Sequence, residues 1–117
     1  MERHAAFENW LPLVRLSIGD LPHDRKLAGV YAMRLIATGE VLYIGASNNL
    51  RRRLFGNYTG GVGGETTQRI HELLFSEGWI TEVEIAWIEV DAYMDKEAEL
   101  KDEHREKHGR LPRWNKV

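Results

Sequence analysis

The sequence predicts a small α+β domain: a three-stranded, largely antiparallel sheet flanked by helices. Three observations carry that expectation. Two runs rich in Val, Tyr, Ile and Leu, 29–36 and 41–45, flank a Gly-containing turn and read as a β-hairpin. A third run, TEVEIAWIEV at 81–90, alternates Val83, Ile85 and Trp87 against charged or small neighbours, which is strand periodicity. Helical patterns separate and follow the strands, giving the order αββααβα, and helices segregated around an antiparallel sheet are one of the few stable layer arrangements.

In chain order, residues 5–18, AAFENWLPLVRLSI, mix apolar residues around Pro12 and predict a short helix, and GDLPHDRK leads as a polar connector into the hairpin. The hairpin turn has a condition attached if Tyr31 and Tyr43 are to project from one sheet face. A two-residue turn centred on Thr38-Gly39 would put them on opposite faces, because side chains alternate; a three-residue or bulged loop over Thr38 to Glu40 brings them together. The longer loop is expected. Ser47 then caps a helix through Asn57, with Leu50 and Leu54 one turn apart on a single face. TGGVGGE, 59–65, holds four glycines in seven residues and must be a loop, mobile or shaped around something. Residues 66–76 return to helix with Ile70, Leu73 and Leu74. Asp95 starts a highly charged last helix that runs to about His108 and stops at Gly109 and Pro112, acids early and bases late as its dipole favours.

Composition bounds the function classes. A chain of 117 residues with 43% hydrophobic residues suits one domain, in which 1–28 form an N-terminal helix and connector and 29–117 the body. No cysteine is present, which excludes disulfides, thiolate metal sites and thiol nucleophiles. The apolar runs are too short to span a bilayer and the first 28 residues lack a signal-peptide pattern, so no membrane partner and a cytoplasmic location are expected. With 16 basic against 18 acidic residues, any affinity for a polyanion must come from where the charges sit. One place stands out: three consecutive arginines, Arg51 to Arg53, directly behind the tyrosine-bearing hairpin.

Gly29-Val30-Tyr31 and Tyr43-Ile44-Gly45 at hairpin spacing, then Asn49-Leu50 and Arg53-Leu54, then Glu103 on the last helix and the closing Pro112-Arg113-Trp114-Asn115 occur in order from Gly29 to Asn115. Together they resemble the GIY-YIG endonucleases, with Val30 where the name has isoleucine. The resemblance implies a metal-dependent endonuclease that hydrolyses DNA phosphodiester bonds in repair, restriction or recombination. Its catalytic set here would be Tyr31, Tyr43, Arg53 and Glu103, with DNA as partner and a homodimer or an accessory DNA-recognition protein left open. The alternative is a non-catalytic or partner-dependent module of the same fold that binds DNA or protein.

Each position also has a reading of its own. Arg53 flanks the Leu50/Leu54 stripe, where it can lean over the sheet edge and offer a planar fork to two phosphate oxygens; Arg51 and Arg52 suit either a solvated face or backbone phosphates. Strand tyrosines are ordinarily packing residues, whereas the resemblance implies that both hydroxyls converge on the scissile phosphate, with Tyr31 nearest the attacking water. Glu103 sits among other acids, and the resemblance implies that it is the single ligand of Mg²⁺, for which Mn²⁺ can substitute; a lone carboxylate with waters and phosphate oxygens suits that ion. Leu100 shares its helix face, and Glu99 is the runner-up. Gly45, Ser47, Asn49 and Arg69 are supporting or substrate-binding candidates, and Asn115 is expected to tie the C-terminus back near the site.

For the position one turn beyond the arginine, Asn57 has the helical register at i+4 and Tyr58 has the chemistry, reachable if the helix end tightens. Ala46 stands where some members carry a lysine just after YIG that can assist a tyrosine as base. His104 and His108, four apart, have a zinc-compatible spacing without a third ligand, so they and His71 are expected to be structural or surface residues.

Overall fold

The computed structural model describes residues 7–16, 20–21, 26–58 and 60–116. Four strands, one more than the sequence predicts, form a wholly antiparallel sheet in the order β1-β4-β2-β3: β1 is Leu11–Pro12, β2 Gly29–Leu35, β3 Val41–Ser47 and β4 Val83–Glu89. The extra strand replaces the helix expected over 5–18, as far as that segment lies within the described residues. Pro12, with φ −53° and ψ 131°, favours extended backbone; Leu11 and Pro12 pair with Ile85 and Glu84 at the sheet edge, and one 3₁₀ turn, Leu13–Arg15, follows.

The central strand β2 is buried along most of its length between β3 and β4, and the sheet separates two apolar layers. One holds Tyr31, Met33, Leu42 and Ile85 under Leu50, Leu54 and Tyr58 of the segment after β3, and under Ile70, Leu73 and Leu74 of the next helix. That helix is α1, Glu65–His71, continued by a π-helical turn, Glu72–Ser76. The opposite layer holds Val30, Ala32 and Ile44 with Leu100 from α2, Tyr93–His108, which Gly109 ends with a left-handed φ of 78°.

The hairpin meets the condition that both tyrosines share a face, by a different device from the expected Thr38–Glu40 loop. Leu35 N–H donates to the Glu40 carbonyl and Gly39 N–H to the Leu35 carbonyl, each at 2.9 Å, so the connection closes early. The register then slips within the strands: Met33 pairs with Tyr43 but Arg34 with Val41, leaving Leu42 as the extra residue of a bulge. Leu42 and Tyr43 consequently both pack into the tyrosine layer.

Candidate active site

Tyr31 lies on β2 opposite Gly45 of β3, and Tyr43 is two residues before that glycine, so both rings rise over the same patch of sheet. The glycine is what lets them. A Cβ on Gly45 would stand 2.6 Å from Cζ and Oη of Tyr31 and 2.7 Å from Cε2 of Tyr43. Gly29, at the start of β2, answers a backbone approach instead: a Cβ there would meet the Ile88 carbonyl oxygen at 2.1 Å. Each of these two motif glycines is required by a contact, not by a turn.

The segment after β3 delivers the arginine and a third tyrosine. Asn49, not Ser47, caps it: Asn49 Oδ1 accepts from Arg52 N–H at 3.1 Å, while Ser47, the last residue of β3, accepts from Asn49 N–H at 3.0 Å. From Arg52 to Tyr58 the turn is π-helical. The end of this helix widens, the opposite of the tightening under which Tyr58 was to be reached, and i→i+5 bonding sets Tyr58, not Asn57, in register with Arg53. Tyr58 is buried and its hydroxyl bonds the Tyr31 hydroxyl. Asn57 turns to the loop, its side-chain amide donating to the Val62 carbonyl at 2.8 Å while its own carbonyl accepts from Val62 N–H.

Three phenol rings thus form a triangle with centroid separations of 6.0 Å for Tyr31–Tyr43, 6.0 Å for Tyr31–Tyr58 and 6.4 Å for Tyr43–Tyr58. Tyr31 is fully buried; Tyr43 is the half-buried member. Burial, then the neighbouring phenols, raises the pKa of Tyr31 well above its ordinary value, and the Arg53 guanidinium works in the opposite direction. Tyr43 is raised for the same leading reason, burial, followed by Tyr58. Both are neutral phenols at neutral pH. Arg53 itself is half-buried, and its Nε has no hydrogen-bond partner among the described residues.

The structure does not bring Glu103 to this cluster. Glu103 is buried at 6% exposure and lines a cleft with Ala32, Arg34, Ile44 and Leu100, the sheet face opposite the tyrosines. Residues three apart share a helix face, so Glu103 follows Leu100 into that layer. Glu99 is exposed and paired with Lys96 at 3.0 Å. The α2 charges that act on the Tyr43 phenol are Lys101 and Glu97, which pair with each other at 3.2 Å. The sequence did not single out either residue within so charged a helix; the available signal was their i,i+4 spacing, which suits an ion pair on one helix face.

The other candidates fall into supporting and remote positions. Asn115 tethers the C-terminus to the outer edge of β3: its Oδ1 accepts from Ile44 N–H at 3.0 Å and its Nδ2 donates to the Ile44 carbonyl at 2.9 Å, between Tyr43 and Gly45. Arg51 is half-buried and Arg52 exposed on the same segment. Arg69 is engaged by Glu72 at 3.3 Å and Glu77 at 2.9 Å. His104 and His108 stack at 4.4 Å near the cleft on the far face, and no group of three or more His, Cys, Asp or Glu among the described residues could hold a metal ion. No described helix is long and apolar enough to cross a membrane.

A family model described as the GIY-YIG catalytic domain matches residues 27–110, most of the chain. Comparison with curated proteins and with solved structures yields no match.

Proposed function

The chain belongs to the GIY-YIG catalytic domain family, a nuclease family, and from that premise we propose that it is a divalent-metal-dependent endonuclease that hydrolyses DNA phosphodiester bonds. The observation that carries the reading is the convergence of Tyr31, Tyr43 and Tyr58 with Arg53, close enough for the guanidinium to act on a buried phenol. Arg53 is half-buried, and its guanidinium stays charged and presents N–H donors that a phosphoryl oxygen accepts, a bond that would gain strength as charge builds on that oxygen.

The division of labour follows from burial. Tyr43, half-buried, is the phenol that reaches the attacking water; Tyr31 and Tyr58 stand behind it and fix its surroundings. Because Tyr43 is protonated at rest, it orients the water by hydrogen bonding and does not start as a phenolate base. Water oxygen bonds to phosphorus and gives up its proton to solvent, the ester P–O bond breaks and the departing oxygen takes up a proton from solvent, and Arg53 holds the phosphoryl oxygens throughout. Arg51 and Arg52 extend the contact to neighbouring phosphates.

Glu97 is the carboxylate that fits a metal in this site. It already accepts a cation, Lys101, in a partly buried pair, and it is the carboxylate whose charge reaches Tyr43. A single carboxylate completed by waters and substrate oxygens suits Mg²⁺ or Mn²⁺, which would supply Lewis-acid stabilisation of the leaving oxygen. Glu103, held in the opposite layer, does not have that access.

The test is cleavage of supercoiled plasmid and of branched DNA over a Mg²⁺ and Mn²⁺ titration, with Arg53→Ala, Glu97→Gln and Glu103→Gln at confirmed folding. Metal-dependent nicking that is lost in the first two variants and kept in the third is expected. Nicking lost in Glu103→Gln and kept in Glu97→Gln would return the metal to Glu103. DNA binding by the wild type with no cleavage on either substrate would favour a non-catalytic module of the same fold.

A further inference from the structure

His71, the last residue of α1, faces the carbonyl end of the segment that carries Tyr58. Asn57 still receives an i+5 bond from Val62 N–H, but Tyr58 ends the helix, and a terminal carbonyl needs a donor from elsewhere. The imidazole Nδ1 supplies it at 2.6 Å from the Tyr58 oxygen, which requires the proton to sit on Nδ1. The ring is confined on its other sides. A Cβ on Gly61 would lie 3.0 Å from its Cδ2 and 3.2 Å from its Nε2, and the Phe75 ring packs at a centroid distance of 4.9 Å. One imidazole therefore joins the last residue of the π turn, the Gly-rich loop and the second helix.

We propose that His71 is a positioning residue for the active site: by holding the Tyr58 carbonyl it sets the rotation of the last π turn, so that the Tyr58 hydroxyl meets that of Tyr31. The inference rests on the tyrosine cluster being the nuclease site, and its consequences can be read with or without cleavage. A π turn is uncommon and an α turn competes with it; reverting to α geometry would bring Asn57 into register with Arg53 and swing Tyr58 away. The bond from His71 favours the turn that keeps Tyr58 in place. The Gly-rich loop then has a structural reason for its composition, since the residue packed against the imidazole must have no side chain and adopts φ +69°.

The experiment compares His71→Asn with His71→Gln. The Asn amide places an N–H where Nδ1 stands, and the Gln amide moves it to the place of Nε2, so two polar variants of similar size keep or lose one bond. Readouts are single-turnover cleavage, DNA affinity without metal, and NMR of tyrosine labelled at ¹³Cζ, whose shift reports the Tyr31–Tyr58 hydroxyl contact. His71→Gln is expected to slow cleavage about tenfold or more, on the scale of a misplaced catalytic group. Its DNA affinity should stay within about twofold and its Tyr31 and Tyr58 signals should move; His71→Asn should retain both rate and signals. Cleavage and tyrosine signals of His71→Gln that match the wild type would overturn the proposal, as would equal loss of rate in both variants with unmoved tyrosine signals. A wild-type protein that cuts no DNA would sink the nuclease reading alone, because the tyrosine signals of the two variants would still decide whether His71 positions Tyr58.

Discussion

Gly45→Ala is the most exacting test of the site geometry. The added methyl would stand 2.6 Å from the Tyr31 ring carbon and hydroxyl and 2.7 Å from the Tyr43 ring. Carbon atoms rest at about 3.5–4.0 Å, so one or both rings must retreat by about 1 Å. Tyr31 has little room to do so: it is fully buried on the central strand and its hydroxyl is bonded to Tyr58. Overpacking of this kind costs about 1–3 kcal/mol, and loss of the buried hydroxyl bond adds about 1 kcal/mol. At about 4 °C per kcal/mol for a domain of this size, the expected fall in Tm is roughly 8–16 °C. A ring displaced by about 1 Å should also slow cleavage by about 100-fold. Urea unfolding and single-turnover cleavage read the two effects. Gly39→Ala is the control, with φ +79° but nothing within 4 Å of the new methyl, so it carries only backbone strain of about 1 kcal/mol and leaves the site alone. Combining Gly45→Ala with Tyr31→Phe removes one clashing atom and should cost less than the two changes summed. A Gly45→Ala protein that unfolds within about 0.5 kcal/mol of wild type and cuts at the normal rate would refute the close packing of tyrosine on glycine.

Asn115→Ala removes both bonds to the Ile44 backbone and should destabilise the domain by about 1–2 kcal/mol in urea unfolding. Asn115→Asp should do no better at neutral pH, since a carboxylate oxygen then faces the Ile44 carbonyl. Arg53→Lys keeps the charge but loses the planar fork and should lower cleavage on the order of 100-fold, the scale of one lost transition-state donor, with unfolding unchanged. Among the four tyrosines, absorbance near 295 nm should show Tyr31 and Tyr43 ionising well above the ordinary phenol range. Because both folded values are raised, the associated stability is complete below the unfolded pKa of about 10 and is lost as pH climbs toward the folded values. Unfolding midpoints should therefore fall steeply at alkaline pH, and less steeply in Tyr31→Phe.

Local pattern determined much of this protein. Alternation and β-branched content marked β2, β3 and β4; Gly109 and the charge order marked the end of α2; and Gly29, Tyr31, Tyr43, Gly45 and Arg53 were recognisable because their spacing along a hairpin and the next helix is short-range. The decisions left to tertiary structure are those in which near-equal local states compete. The segment 52–58 could have closed as α or π, and the choice of π, which seats Tyr58 and turns Asn57 to the loop, depends on a hydroxyl partner on β2 and a carbonyl partner on α1. The bulge at Leu42 puts the two tyrosines on one face through a register slip that no turn residue announces. On α2, Glu97, Leu100 and Glu103 recur at three-residue spacing on one helix face, so periodicity alone could not tell the surroundings of the two acids apart. Position along the helix separates them: Glu97, about 9 Å nearer the N-terminus, pairs with Lys101 beside the Tyr43 phenol, whereas Glu103 is buried in the cleft on the opposite sheet face, because each turn of a rigid helix meets a different part of the sheet.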